Sequence, residues 1–437
     1  MSRLANRLGA LEERPFRLLW LGQAFSQAGD LMIPVAVAFA VLELGGSASE
    51  LGLVLAAVTL SRAAFMLVGG VWADRLPRHL VMLTSDLVRA ATQATLALLL
   101  IAGAAQLWHV LVVAVVYGTA AAFFTPAVTG LVPQTVSAAR LQEANALMAL
   151  TRSVLFIAGP IASGILVAAF GAGFVFALDA GTFLVSAGFL AVLRVPPALH
   201  SARQAFLADL AAGWREVTSR RWIWSGLAFF ALCNLAIAPF WVFGPIVASG
   251  ELGGAAAWGG IMTGAGIGAA LGSAIALRFR PRRPLLAGLP LVAVSALQPA
   301  LLTRPAPAVV LAGATALAIA GVTIANMFWV TSLQQHVPEE AISRVSSYDG
   351  MVSFVIMPLG YVLAGPLAAG LGLDTTLAAG AILLLLASIA IAAVPEVRRL
   401  EPAAIVETPS VPAPAKPEDA LTPVPPPAVP VGGRSAG

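Results

Sequence analysis

Charge is scarce in this chain: 11% of its 437 residues are Asp, Glu, Lys or Arg, against roughly 25% in an ordinary soluble domain. Lysine is all but missing, Lys416 being the only one beside 24 arginines. There is one cysteine, Cys233, so neither a disulfide framework nor a thiolate metal site is available. The four histidines, His79, His109, His200 and His336, lie far apart with no ligand spacing, and no nucleophile, base and orienting group form a recognisable set. No metal, no cofactor and no enzymatic activity are therefore expected. A row of glycines at Gly260, Gly264, Gly268 and Gly272 lies inside an apolar segment, with no preceding strand and no lysine. Nucleotide binding is rejected there, and the row reads instead as a surface on which another helix can approach to backbone contact.

What the chain does have is hydrophobic length. Apolar residues make up 59% of it and its mean hydropathy is +0.90. Twelve stretches are each long enough to cross about 30 Å of hydrocarbon as a helix of roughly 20 residues. They fall at 17–42, 49–73, 80–104, 107–132, 142–170, 172–193, 222–249, 255–277, 284–303, 306–333, 344–371 and 373–394. The fold expected is an all-α membrane protein. With the first residues inside, the inner loops carry 19 arginines and the outer loops only Arg304. That asymmetry places both termini in the cytoplasm, in a multi-pass protein of the plasma or inner membrane. It also accounts for the basic pI without a nucleic-acid partner. Charges scattered through the first sixteen residues give no cleaved signal peptide.

After the sixth span the chain leaves the bilayer, so four parts are expected: a six-helix bundle over 1–195, a central loop over 196–221, a second six-helix bundle over 222–395, and a Pro-rich tail over 396–437. In the loop Phe206, Leu207, Leu210, Trp214 and Val217 recur at helical spacing opposite Arg203, Asp209, Arg215 and Glu216, which predicts a helix on the inner membrane surface. The tail holds ten of the 30 prolines and reads as disordered.

Ionisable side chains near the bilayer centre cost at least about 2.5 kcal/mol unless paired or hydrated, so each is a functional candidate. Counting 1.5 Å per residue from the inner ends of their spans puts Asp30, Arg62 and Arg152 at similar depth. Asp30 is expected to pair with Arg62 or Arg152 and to carry a coupling proton, with Asp179 as a secondary site; a permanent structural ion pair is the competing reading. Gln23, Gln27 and Asp30 share one face of the first span, and Asn145, Met148 and Arg152 one face of the fifth. With Asn234, Asn326 and Trp329 of the second half, Gln23, Gln27, Asn145 and Met148 are the expected substrate contacts. Large apolar walls with few polar anchors suit a bulky lipophilic compound better than a sugar. Two midplane arginines against one aspartate leave room for an anionic substrate.

Between the second and third spans the sequence reads Gly69-Gly70-Val71-Trp72-Ala73-Asp74-Arg75-Leu76-Pro77-Arg78-His79. This resembles the loop motif of the major facilitator superfamily, with Pro77 and His79 departing from the usual residues. Stretches such as Phe16-Arg17-Leu18-Leu19-Trp20-Leu21-Gly22-Gln23 and Ser85-Asp86-Leu87-Val88-Arg89-Ala90 resemble the exporter branch that includes macrolide efflux pumps and the enterobactin exporter. The resemblance implies twelve transmembrane helices in two six-helix bundles, the major facilitator fold. It also implies that Gly70, Asp74, Arg75 and Arg78 form a cytoplasmic latch, to which Asp86 and Arg89 are added. Gly159-Pro160-Ile161-Ala162-Ser163-Gly164 is similar to the Gly-Pro motif of antiporters, with Ser163 in place of a glycine, and Pro358 stands as its echo in the second half. Gly159, Pro160, Gly164 and Pro358 are the expected hinge residues. The function expected is proton-coupled export of a drug, siderophore or metabolite by alternating access, by a monomer bound to lipid. Nutrient uptake or facilitated diffusion, and a non-transporting scaffold or receptor, are the alternatives.

Overall fold

The computed structural model describes residues 9–195 and 214–402, with only the backbone course described at 67–75, 339–340, 343–344, 347 and 351–354. The described chain is helical throughout. After a short turn at Gly9–Glu12 the spans are α1 (Arg14–Glu43), α2 (Ala48–Arg75), α3 (Arg78–Ile101), α4 (Leu107–Thr135), α5 (Leu141–Phe170) and α6 (Ala172–Val192). The second set is α7 (Arg221–Val247), α8 (Gly254–Ala276), α9 (Pro284–Thr303), α10 (Ala308–His336), α11 (Glu339–Leu371) and α12 (Leu373–Ala392). Eleven of these twelve are long and apolar enough to cross a membrane on hydropathy alone; α3, with Arg78, Asp86 and Arg89 in its first half, is the other. The expected all-α architecture of two six-helix bundles is the one observed.

Local signals fix the ends. Ser47 and Glu50 cap α2 reciprocally, the Glu50 carboxylate accepting from the Ser47 N–H at 2.7 Å and its hydroxyl at 2.9 Å. The α5–α6 and α11–α12 connections each turn on one glycine, Gly171 at φ +79° and Gly372 at φ +86°, a conformation costly for other residues. These glycines are 201 residues apart, and the same shift relates Gly159 to Gly360 and Gly164 to Gly365. The pairs also pack alike. Gly159 lies against Leu31 of α1 and Gly360 against Leu235 and Ala238 of α7, while Gly164 meets Ala255 of α8 and Gly365 meets Ser49 of α2. The internal repeat therefore aligns Gly360, not Pro358, with the Gly-Pro segment. Pro358 is buried in α11 a few residues off that register.

Apolar packing separates the two faces of the bundle. On the face away from the described chain ends, one core cluster draws on both halves, with Val35, Leu51 and Phe176 beside Phe240, Trp258 and Leu377. On the terminal face there are two separate clusters. One holds Phe16, Met82, Leu131 and Leu190 of the first half, and the other Trp222, Leu289, Trp329 and Val345 of the second. Among the described residues the halves thus share one core at the far face and hold separate cores at the terminal face. The joining seams are α2 against α11 and α5 against α8. In the second seam Gly259 receives the Pro160 carbonyl, Gly266 the backbone of Phe156 and Ile157, and the Thr263 hydroxyl donates to the Ile157 carbonyl at 3.1 Å. The expected glycine row faces elsewhere: Gly264, Gly268 and Gly272 receive Ala312, Ala316 and Ala320 of α10, and Gly260 meets nothing.

Of the central loop, Trp214–Ser219 is helical; Val217, expected on the membrane surface, is 1% exposed in the second half's core, and Trp214 packs on Tyr348 at 5.6 Å. The rest of the loop and the tail beyond Pro402 lie outside the described residues. A short helix at Pro395–Arg399 binds back to the second half, Val397 buried and Glu396 accepting from the Trp222 N–H at 3.0 Å, so that half runs past the expected boundary at 395.

Candidate functional site

The site begins at a fault in α1. The span consists of two segments, Arg14–Asp30 and Ile33–Glu43, where the sequence predicted one continuous helix. Pro34 has no N–H to offer the Asp30 carbonyl, so the ladder lapses there. The Met32 N–H bonds the Gly29 carbonyl at 2.8 Å, and the Ser163 hydroxyl of α5 donates to the Met32 carbonyl at 2.7 Å. The Gly159-Pro160 segment lies directly against this fault and, on its other side, against α8. Expected as a hinge within α5, it is a three-helix crossing.

Asp30 stands at the end of the first segment. A carboxylate at a helix C-terminus faces unpaired carbonyls and is disfavoured, so a cation is needed nearby. That cation is Arg89 of α3, whose Nη1 lies 3.2 Å from Asp30 Oδ2. Arg62 and Arg152, the expected partners, are elsewhere: Arg62 donates to Thr125 at 3.2 Å and Arg152 is exposed. Gly159 of α5, which lies against Leu31, is seven residues and about 10 Å along the helix from Arg152, so Arg152 does not share the level of Asp30. Tyr117 of α4 donates its hydroxyl to Asp30 Oδ1.

Arg89 is 2% exposed and holds a second carboxylate, Asp86 of its own helix, through Nη2 at 2.5 Å. Its guanidinium lies between the rings of Phe124 and Phe183, 4.3 and 4.2 Å from their centroids. Such stacking stabilises a desolvated cation by about 2 kcal/mol. Asp86 and Arg89, expected in the latch, are paired with each other in the buried charge cluster. Of that latch, the side chains of Asp74 and Arg75 and the surroundings of Gly70 lie outside the described residues, while Arg78 donates to the Gly130 carbonyl at 2.6 Å.

Asp179 of α6 is the third acid of the cluster and, like Asp86, fully buried. It accepts from Gln93 Nε2 at 2.8 Å and from the Thr182 hydroxyl at 3.4 Å, and closes on Gly29, one residue before Asp30. Three carboxylates therefore surround one guanidinium. With Arg62, Arg89 and Arg152 against Asp30, Asp86 and Asp179, the expected positive excess is cancelled, and with it the basis for an anionic substrate. Nearby, Gln23 Nε2, Ser26 Oγ and Gln93 Oε1 are buried without hydrogen-bond partners among the described residues.

Asp30 keeps 25% of its side chain exposed, and that part opens on a cavity of about 260 Å³. Its polar lining is Asp30, Thr59, Gln93, Tyr117 and Tyr361; the rest is apolar, with Ile33, Val37, Leu55, Val58 and Phe176 among the walls. Tyr361 comes from α11, so both halves contribute. None of the expected substrate contacts lines it. Gln23 is buried with Gln27 donating to it at 3.4 Å, Met148 packs on the first half's core, and Asn234 is half-buried on α7. Asn145 and Asn326 are exposed, and Trp329 is core, donating its N–H to Asp349 at 3.1 Å. Asn145 and Arg152 lie below Phe156 on the α5 face that meets α8, where the halves part. Tyr117, Gln93 and Tyr361 are not among the expected site residues, and Arg89 is expected in the latch rather than beside Asp30; an Asp and an Arg three residues apart on α3 is the sequence sign of a buried pair.

A family model described as transmembrane secretion effector, of the major facilitator type, matches residues 5–421. The multidrug efflux pump Tap of Mycolicibacterium fortuitum is 27% identical over 408 residues, 89% of this chain and 97% of that protein. Macrolide efflux protein A of Streptococcus pyogenes is 26% identical over 181 residues, 41% of this chain and 45% of that one. Among solved structures, the nucleoside transporter NupG has a TM-score of 0.65 at 16% identity, covering 87% of this chain and 98% of that one. A bacterial homologue of the human lysosomal transporter Spinster has a TM-score of 0.63 at 15% identity, covering 86% and 95%.

Proposed function

We propose that this chain, which belongs to the transmembrane secretion effector family of major facilitator transporters, exports a lipophilic drug or metabolite in exchange for protons. A membrane transporter needs a site reachable from one side at a time, and among the described residues the bundle has a shared core at one face and separate cores at the other. The arginine asymmetry supports placing the face with separate cores in the cytoplasm, which is the reading of a state open inward with both termini inside. The observation that carries the reading is Asp30: a carboxylate at a helix break, partly exposed to a cavity whose other walls are mostly apolar. Proton uptake there neutralises the acid and loosens its hold on Arg89; release restores the pair. The relatives named as efflux pumps support the outward direction. The cavity forms within one chain, and a monomer suffices. The moving parts are the halves up to 195 and from 222 onward, with the Gly-Pro crossing as pivot.

The test uses inverted membrane vesicles energised by a pH gradient and a radiolabelled macrolide as probe. Wild type should accumulate the probe and lose accumulation with an uncoupler, while Asp30→Asn should bind it without accumulating it. Gradient-driven accumulation by Asp30→Asn would sink proton coupling at this residue.

A further inference from the structure

The cluster holds two more acids, Asp86 and Asp179, than a simple coupling pair requires. Asp86 is fully buried and opens on no cavity, yet it sits on the same guanidinium as Asp30. Arg89 reaches the two acids through different nitrogens, Nη1 to Asp30 and Nη2 to Asp86. Its guanidinium carbon also lies 4.3 Å from the Phe124 ring centroid and 4.2 Å from that of Phe183, so two aromatic rings and two carboxylates share one guanidinium. The two contacts are also unequal, 3.2 Å to Asp30 and 2.5 Å to Asp86.

We infer that Asp86 is a positioning residue for proton coupling: it keeps Arg89 in its aromatic slot while Asp30 is neutral, and so sets the pH at which Asp30 takes up its proton. This rests on the reading of Asp30 as the coupling acid. Without a second acceptor, an arginine buried to this extent would be left unpaired each time Asp30 was protonated, a state costing several kcal/mol. With Asp86 in place the guanidinium keeps one full ion pair throughout. Asp86 also repels a negative charge on Asp30 and draws Arg89 away from it, and both effects favour protonation of Asp30.

The ionisable groups facing Asp30 are Asp86 and Arg89 from α3, Tyr117 from α4 and Asp179 from α6, with Tyr361 of α11 across the cavity. On α2 the cavity wall offers only Thr59, Arg62 being bonded to Thr125, and α5 offers the neutral Ser163 at the fault. Asp179 is held by Gln93 and Thr182 and makes no ion pair with Arg89. Asp86 is therefore the acid that competes directly for the arginine.

The experiment is a pH titration of the purified full chain by infrared difference spectroscopy, which reads protonated carboxyl groups and needs no substrate. Wild type should show a carboxylic band that Asp30→Asn lacks. In Asp86→Asn, or the smaller Asp86→Ser should the amide variant not fold, that band should titrate about one pH unit lower, a tenfold loss of proton affinity. In Arg89→Gln it should titrate higher. An unshifted or raised midpoint on removing the Asp86 charge overturns the inference while leaving Asp30 as the coupling acid. A wild-type spectrum with no band that Asp30→Asn removes overturns the coupling reading itself.

Discussion

Single side chains decide how the bundle is closed. The Ser163 hydroxyl gives the Met32 carbonyl at the fault in α1 a short hydrogen bond of 2.7 Å, beside the longer 3.3 Å bond it accepts from the Ala36 N–H. Ser163→Ala should lower stability by about 1 kcal/mol, read as a fall in thermal midpoint in detergent against an unchanged exposed-site control. Gly29 is a second such position, since a Cβ there would strike the side chains of Asp179 and Thr182. Gly29→Ala should cost about 1–3 kcal/mol through overpacking, and should perturb transport with stability because it displaces a carboxylate of the cluster. At the terminal face Glu13 accepts from the Ser137 hydroxyl and N–H, and these bonds hold its pKa below the ordinary 4.5. An acid with a lowered folded pKa stabilises the protein above its unfolded value and loses that contribution as pH falls through the folded one. The strap between the first turn and the α4–α5 loop should therefore loosen below about pH 4.5, seen as faster hydrogen exchange at Ser137, and Glu13→Gln should show the same at neutral pH.

Helices were largely legible in the sequence, and their faults were not. Span ends agree with the hydropathy reading to within a few residues because membrane crossing demands length and apolarity that nothing else in the chain supplies. The break in α1 escaped that reading because its residues are as apolar as their neighbours. Only Pro34, four residues after Asp30, marks it. The cluster escaped in part for a different reason. Periodicity gives the face of a helix relative to itself, and depth gives its level, but the partner across the gap depends on how each helix is turned. Asp30 and Arg89 were both singled out and assigned to different devices. Restoring the missing donor offers a test at this scale: Pro34→Ala would let residue 34 bond the Asp30 carbonyl and straighten α1, and turnover in reconstituted vesicles should fall about tenfold, equivalent to about 1.4 kcal/mol. Unchanged turnover would mean that the fault is passive.

For the molecule as a whole, the seam between α5 and α8 is made of glycine against backbone. Gly259→Val would push the Pro160 carbonyl away and disfavour the far-face closure by about 1–3 kcal/mol, moving the population toward the state open there by about fivefold or more. Thiol labelling can follow this, because Cys233 is the only cysteine to replace first. A cysteine at Asn145 should react readily and one at Val37 poorly in the otherwise unaltered chain. Adding Gly259→Val should raise labelling at Val37 and lower it at Asn145. Equal labelling at both positions in both backgrounds would contradict a bundle parted at one face. The two halves share their glycine framework at a shift of 201 residues, and the charges do not follow it: the counterpart of Asp179 is Gly380, packed on Ala236 of α7.

That inequality has an electrical side. Within the spans of the first half Arg62, Arg89 and Arg152 balance Asp30, Asp86 and Asp179, so with all six ionised this set sums to zero. Each proton taken up adds one uncompensated positive charge to one half alone. A voltage across the bilayer then exerts force on the loaded half and little on the empty one, with up to about 2.3 kcal/mol per 100 mV if the charge traverses the whole field. The membrane potential would act as a selective spring on the return stroke, and current should accompany turnover in a planar bilayer.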